Sequence, residues 1–121
     1  MRSMFLMAVA LTAVTAVAQD VVPLAPDQVK VLFENDRVRV LHFNEPAHGK
    51  LPMHSHPAYV TVGFTADHSN YTFPDGKTTD QRSKADDVTY SKGLTHAYEN
   101  LSGTKSGNVY LEWSAVNPTV T

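Results

Sequence analysis

The residues best suited to chemistry stand in two short stretches, Met53-His54-Ser55-His56-Pro57 and Gly93-Leu94-Thr95-His96. Side chains on a strand alternate between faces, so a strand through the first stretch turns His54 and His56 the same way. Two imidazoles on one face reach a common point. A third from a neighbouring strand, His96, completes a cap of nitrogens, which is how many metal sites are built.

The rest of the chain must position them. Arg2, an apolar run from Met4 to Val17 broken only by threonines, and Ala16-Val17-Ala18 before Gln19-Asp20 together read as a secretory signal peptide. It is too short and wrongly flanked for a membrane span, the alternative being an uncleaved anchor helix. The expectation is a signal peptide over 1–18 and a secreted or periplasmic mature protein beginning at Gln19. The chain has no cysteine, so no disulfide staples it. A domain of about a hundred residues then relies on a packed core, a bound metal or a partner subunit. The formal net charge of −2, without a Lys/Arg cluster, speaks against nucleic acid and anionic membranes as partners. Only the signal segment is apolar enough to enter a bilayer, so no membrane association is expected after cleavage.

Residues 19–28, with Pro23 and Pro26, read as an extended N-terminal arm. From Val29 the pattern becomes short β-rich runs with turn residues between them. Val29 to Phe33 is one, and Arg37 to Phe43 the next. In the second, Val38, Val40 and His42 share one face. Arg37, Arg39, Leu41 and Phe43 share the other, a mixed face read as an exterior that a second copy could cover as a homodimer. Asn44 to Pro52 reads as a loop, and Tyr59 to Phe64 as the most strand-like run in the chain. Pro74-Asp75-Gly76 is a hairpin turn, in which Pro sets φ and Gly takes the positive φ. Val88 to Tyr90, His96 to Glu99 and Val109 to Ala115 complete the set. Nothing shows a sustained helical period, and the run of short strands indicates a single-domain all-β sandwich or barrel.

The histidine stretches resemble the two motifs of the cupin superfamily, jelly-roll β-barrels. Gly49 and His54-Ser55-His56 follow the first motif, with the leading spacer one residue shorter than the family form. Gly93, His96 and Asn100 follow the second, while Ala85 and Ser91 replace its glycine and proline. The resemblance runs from about Val29 to Ser114 and implies a cupin barrel over 29–116, with a C-terminal tail at 117–121. The family's glutamate would fall at Val60 or Thr61, and neither is a carboxylate. Alternation counted from His56 sends Val60, Val62 and Phe64 inward and Thr61 outward, leaving Val60 in the vacant place. What the resemblance then implies is a three-histidine site, His54, His56 and His96, for one divalent ion (Fe, Mn or Zn). Three neutral imidazoles leave its charge uncompensated and positions open to an anion, a hydroxide or a substrate.

Among the remaining candidates, His42 lies on the Val38/Val40 face and could enter the pocket. His48 and His68 fall in expected loops. Tyr98 and Phe64 could line a pocket mouth, although core packing explains aromatic strand residues too. Glu112 alternates away from Val109, Leu111 and Trp113. It points to water if those face the core, and toward the site if the parity is reversed. The reading is an exported small-molecule enzyme, an oxygenase or a metal-assisted hydrolase or lyase. Its alternatives are a non-catalytic ligand- or metal-binding module and a metal-free structural barrel. No side chain stands out as a general base.

Overall fold

A computed structural model describes residues 19–113. The expected signal peptide at 1–18, the end of the expected domain and the expected tail at 117–121 lie outside the described residues.

The β-rich runs form β1 (Val29–Glu34), β2 (Val38–Glu45), β3 (Lys50–His56), β4 (Tyr59–Gly63), β5 (Asp67–Thr72), β6 (Thr78–Ser83), β7 (Val88–Ser91), β8 (Leu94–Asn100) and β9 (Ser106–Trp113). They pair antiparallel in two sheets, β1-β2-β9-β4-β7 and β3-β8-β5-β6. This is a jelly roll. The β5–β6 turn has Gly76 at φ 84, the left-handed conformation that its glycine supplies. Leu41, Phe43, Leu51, Tyr59, Tyr98 and Tyr110 fill the space between the sheets, with Val21, Ala25 and Val29 sealing one end.

The N-terminal arm departs from the extended reading. Asp20 caps a helical turn, α1 (Val21–Leu24), its carboxylate accepting the Val22 N–H at 3.1 Å. Pro23 is tolerated there because first-turn N–H groups have no partner within a helix. The turn buries Val21 completely, and the Gln19 carbonyl accepts the Ser55 N–H at 2.8 Å. The arm is therefore part of the core and lies against the histidine strand.

The faces of β2 are the reverse of those expected. Leu41 and Phe43 point inward and are buried, with Glu45 on the same side, and Arg39 reaches in toward β9. The expected exterior face is thus the interior one. The loop assigned to Asn44–Pro52 also shrinks, because β2 runs to Glu45 and β3 begins at Lys50. The valines that look like core residues face outward, beside Leu111, Trp113, Val88 and Tyr90, all exposed. This barrel carries its polar groups inside: Glu45, His54, His56, Ser69, His96, Asn100, Ser106 and Glu112 are all buried.

Parity also changes at β4. Pro57-Ala58 carry the chain from the four-stranded sheet to the five-stranded one, and that crossing resets the alternation counted from His56. Tyr59 pairs with Glu112, Val60 with Leu111 and Thr61 with Tyr110. Tyr59 and Thr61 therefore face the interior, and Val60 and Val62 face out.

Candidate metal centre

The pairing of β3 with β8 sets His54 directly opposite His96, with His56 two residues farther on the same face. The β8 strand can lie this close because Gly93 enters it at φ +104, where an added Cβ would stand 2.7 Å from the His56 carbonyl oxygen. Any side chain there would push the two strands apart. The result is a cluster of three buried histidines whose ligand nitrogens lie within 4.8 Å of one another.

Their hydrogen bonds fix which nitrogens carry protons. His54 Nδ1 donates to the Pro52 carbonyl at 2.7 Å, and His56 Nδ1 donates to Glu112 Oε2 at 2.7 Å. Each ring therefore presents an Nε2 lone pair, and these two atoms face each other at 2.9 Å. At that distance a shared cation, a proton or a metal ion, fits between or beside them. Burial, only partly offset by the hydrogen bond to the Pro52 carbonyl, holds the His54 pKa down to about 4. Burial and both neighbouring histidines hold His96 down to about 2. In His96 both ring nitrogens are buried without a partner among the described residues. Buried imidazoles with converging Nε2 atoms, oriented from behind by a carbonyl and a carboxylate, are what a divalent metal requires. The residues fit such an ion.

Glu112 is the functional residue whose place the sequence left open. It is 1% exposed, and β9 turns it inward while Leu111 and Trp113 face out. It does not join the three-histidine set but stands behind it. Its Oε1 accepts from Arg39 Nη2 at 2.7 Å and from Nε at 3.0 Å. Arg39 in turn grips Asp20 at 2.7 and 3.0 Å. A continuous charged chain thus runs from the arm to His56. These contacts raise the Arg39 pKa, the Asp20 hydrogen bond most of all. For Asp20, burial acts upward, but the Arg39 and Val22 hydrogen bonds outweigh it and lower the pKa.

The cluster borders a cavity of about 10 Å³ shared by Phe43, Glu45, Leu51, His54, His56, His96, Tyr98, Asn108 and Tyr110. That is room for a single ion or water. Three tyrosines roof the histidines: Tyr71 packs on His96 at 4.2 Å between ring centroids, and Tyr59 and Tyr110 pack on His56 at 5.1 and 5.2 Å. Burial raises all three phenol pKa values, Tyr71 to about 12, so they stay protonated and can donate. Beyond them opens a pocket of about 120 Å³, whose far wall includes Thr61, Gln81, Arg82 and Thr89.

The other sequence candidates divide. Tyr98 is inside, its hydroxyl donating to Asp67 at 2.8 Å. Val60 faces out with Leu111. His42 and Phe64 meet each other edge to face at 5.9 Å on the outer surface, so none of these three enters the pocket. His48 is exposed in a loop. His68 sits within β5, not in a loop, and pairs with Asp80 at 2.8 Å.

No family model matches this sequence, and no curated protein matches it. Solved structures do. A cupin domain from Bordetella pertussis Tohama I is similar with a TM-score of 0.66 and 26% identity, over 72% of this chain and 92% of that one. The polyketide cyclase RemF from Streptomyces resistomycificus is similar with a TM-score of 0.56 and 14% identity, over 74% of this chain and 66% of its own. A predicted oxalate decarboxylase from Thermotoga maritima reaches a TM-score of 0.50 and 18% identity, over 70% and 78% of the two chains.

Proposed function

The chain has the fold of the cupin superfamily, and on that premise we propose that it is an exported metal-dependent enzyme acting on a small molecule. His54, His56 and His96 hold one divalent ion, Fe, Mn or Zn. The reaction is an oxygenation or a metal-assisted hydrolysis or elimination. One observation carries this reading: three buried histidines bring ligand nitrogens within 4.8 Å of one another, and among the described residues neither ring nitrogen of His96 has a hydrogen-bond partner. Bound there, the ion supplies Lewis acidity or a site for oxygen chemistry.

The chain's own residues do the rest. Glu112 keeps the His56 proton on Nδ1, and Pro52 does the same for His54, so both Nε2 atoms stay available. Arg39 and Asp20 hold Glu112 in place. Tyr59, Tyr71 and Tyr110 exclude bulk water and offer neutral O–H donors to an anionic substrate group. The pocket beyond them, largely neutral and polar, receives the rest of the molecule. Export is supported by the apolar leader-like segment at the N-terminus. A homodimer is supported by the exposed apolar outer face of the five-stranded sheet, around Leu111, Trp113 and Tyr90.

A second reading, a binding module that holds metal without turnover, is favoured by the cavity of about 10 Å³, which admits an ion but no substrate while the tyrosines stay in place. Metal analysis of protein purified without an affinity tag, followed by oxygen-uptake and hydrolysis assays on thiols and phenols, separates the two. One ion per chain with turnover supports the enzyme. One ion without turnover on any substrate class supports the module. Protein that neither retains nor takes up metal contradicts both.

A further inference from the structure

Glu45 has no structural employment. Its side chain is 1% exposed, yet neither carboxyl oxygen has a hydrogen-bond partner among the described residues. Donors are close by but already committed: the Tyr98 hydroxyl and Ser106 Oγ both donate to Asp67 Oδ1 at 2.8 Å, and Ser69 Oγ donates to Asp67 Oδ2 at 2.7 Å. Asp67 is therefore satisfied and Glu45 is left over. Burying such a group is costly unless a proton or a cation meets it.

The cavity that Glu45 lines is the one it shares with all three histidines. Two of its other walls are also unsatisfied, His96 at both ring nitrogens and Asn108 at Oδ1. Orphaned polar atoms from β2, β8 and β9 thus converge on a space the size of one ion. Meanwhile β4 offers no carboxylate: Val60 faces out and Thr61 is neutral.

Resting on the three-histidine reading, we propose that Glu45 is the carboxylate that balances the charge of the metal, delivered from β2 across the shared cavity. Its oxygens lie outside the 4.8 Å set formed by the histidines, so its role is defined by charge and not by membership of that set. A carboxylate beside three neutral imidazoles cuts the net charge of the buried site from two to one and biases it toward oxygen-preferring ions such as Mn²⁺.

The test is titration of the metal-free full chain with Mn²⁺ and, separately, with Zn²⁺, read by calorimetry and thermal unfolding. Glu45→Gln keeps the shape and removes the charge. It should weaken Mn²⁺ about 10- to 100-fold, and Zn²⁺ less, without lowering the melting temperature of the metal-free protein. Glu45→Met, which also removes the orphaned oxygens, should show the same loss of Mn²⁺ and a higher metal-free melting temperature. If both variants bind Mn²⁺ as the parent does while His96→Ala binds neither ion, the role of Glu45 is overturned and the histidine site stands. If the parent binds neither ion, the histidine site falls and Glu45 with it.

Discussion

On one flank of the histidine cluster, His56 leans on Glu112, Glu112 on Arg39 and Arg39 on Asp20, each link 3.0 Å or shorter. On the other flank, His96, Glu45 and Asn108 bring buried polar atoms to one small cavity, and none of these atoms has a partner among the described residues. A satisfied network orients; an unsatisfied one waits for a ligand. On the proposed metal reading, the contrast assigns the two carboxylates of the interior different work, Glu112 fixing the His56 tautomer and Glu45 facing the ion.

The largest effect that could break this contrast lies on the wired flank. Glu112→Ala leaves the Arg39 guanidinium and the His56 N–H without their shared partner inside the barrel. It should destabilise by about 3–5 kcal/mol, measured by denaturant unfolding. Glu112→Gln, which keeps a hydrogen-bond acceptor, should cost less stability. A loss at Glu112 no larger than that at Glu45 would erase the distinction between the flanks.

Acidity sharpens it from both sides. In the metal-free protein His54 titrates near 4 and His96 near 2, against about 6.5 for the unfolded chain. Below pH 6.5 the unfolded state therefore takes up protons that the folded state refuses, and stability falls as pH falls. Glu45 acts in the opposite sense. Burial, then the nearby Asp67 charge, raises its pKa from 4.5 to about 8, so the folded state keeps a proton that the unfolded one has lost. Its contribution declines as pH rises from 4.5 through 8. Two histidines outweigh one carboxyl below 6.5, and the carboxyl acts alone above it. The melting temperature of the metal-free protein should peak near pH 6.5. Each uncancelled group supplies a slope of up to ~1.4 kcal/mol per pH unit. Glu45→Gln should flatten the decline from 6.5 to 8 and steepen the limb between 4.5 and 6.5, where the carboxyl opposes the histidines; an unchanged alkaline decline contradicts the assignment.

Much of this architecture is legible in the residues. The two motif histidines on one strand, the third on another and the Pro74-Asp75-Gly76 turn all follow from alternation and turn chemistry. Glu45 does not, because Pro46 and Gly49 make its neighbourhood read as a loop, although Leu41, Phe43 and Glu45 continue a single alternation. The inward face of β2 is misread for a physical reason. Hydrophobicity assigns valines to the core, whereas this interior is committed to polar groups and Val38 and Val40 lie on the outer face. Val60 is misplaced because alternation holds along one strand only, and Pro57-Ala58 lie between two sheets.

Smaller effects follow at the ends of the chain of charges. The Asp20 side chain is 43% exposed where it meets Arg39, so Asp20→Asn should cost about 1 kcal/mol or less, read as a small shift in the unfolding midpoint, with metal still bound. Val60→Glu should change least. Its carboxylate would stand on the outer face beside Leu111, and Mn²⁺ affinity should match the parent's. A tighter Mn²⁺ complex in that variant would mean that β4 runs in the opposite parity.

The most direct measurement is the number of divalent ions bound per chain, by calorimetric titration of the metal-free protein with Zn²⁺, in the parent and in His96→Ala and His68→Ala. The account predicts one ion in the parent, raising its melting temperature because the ion binds only the folded state. His68→Ala should keep that ion and His96→Ala should lose it. No uptake by the parent, or equal binding by the two variants, would contradict the claim that the three buried histidines form a metal site.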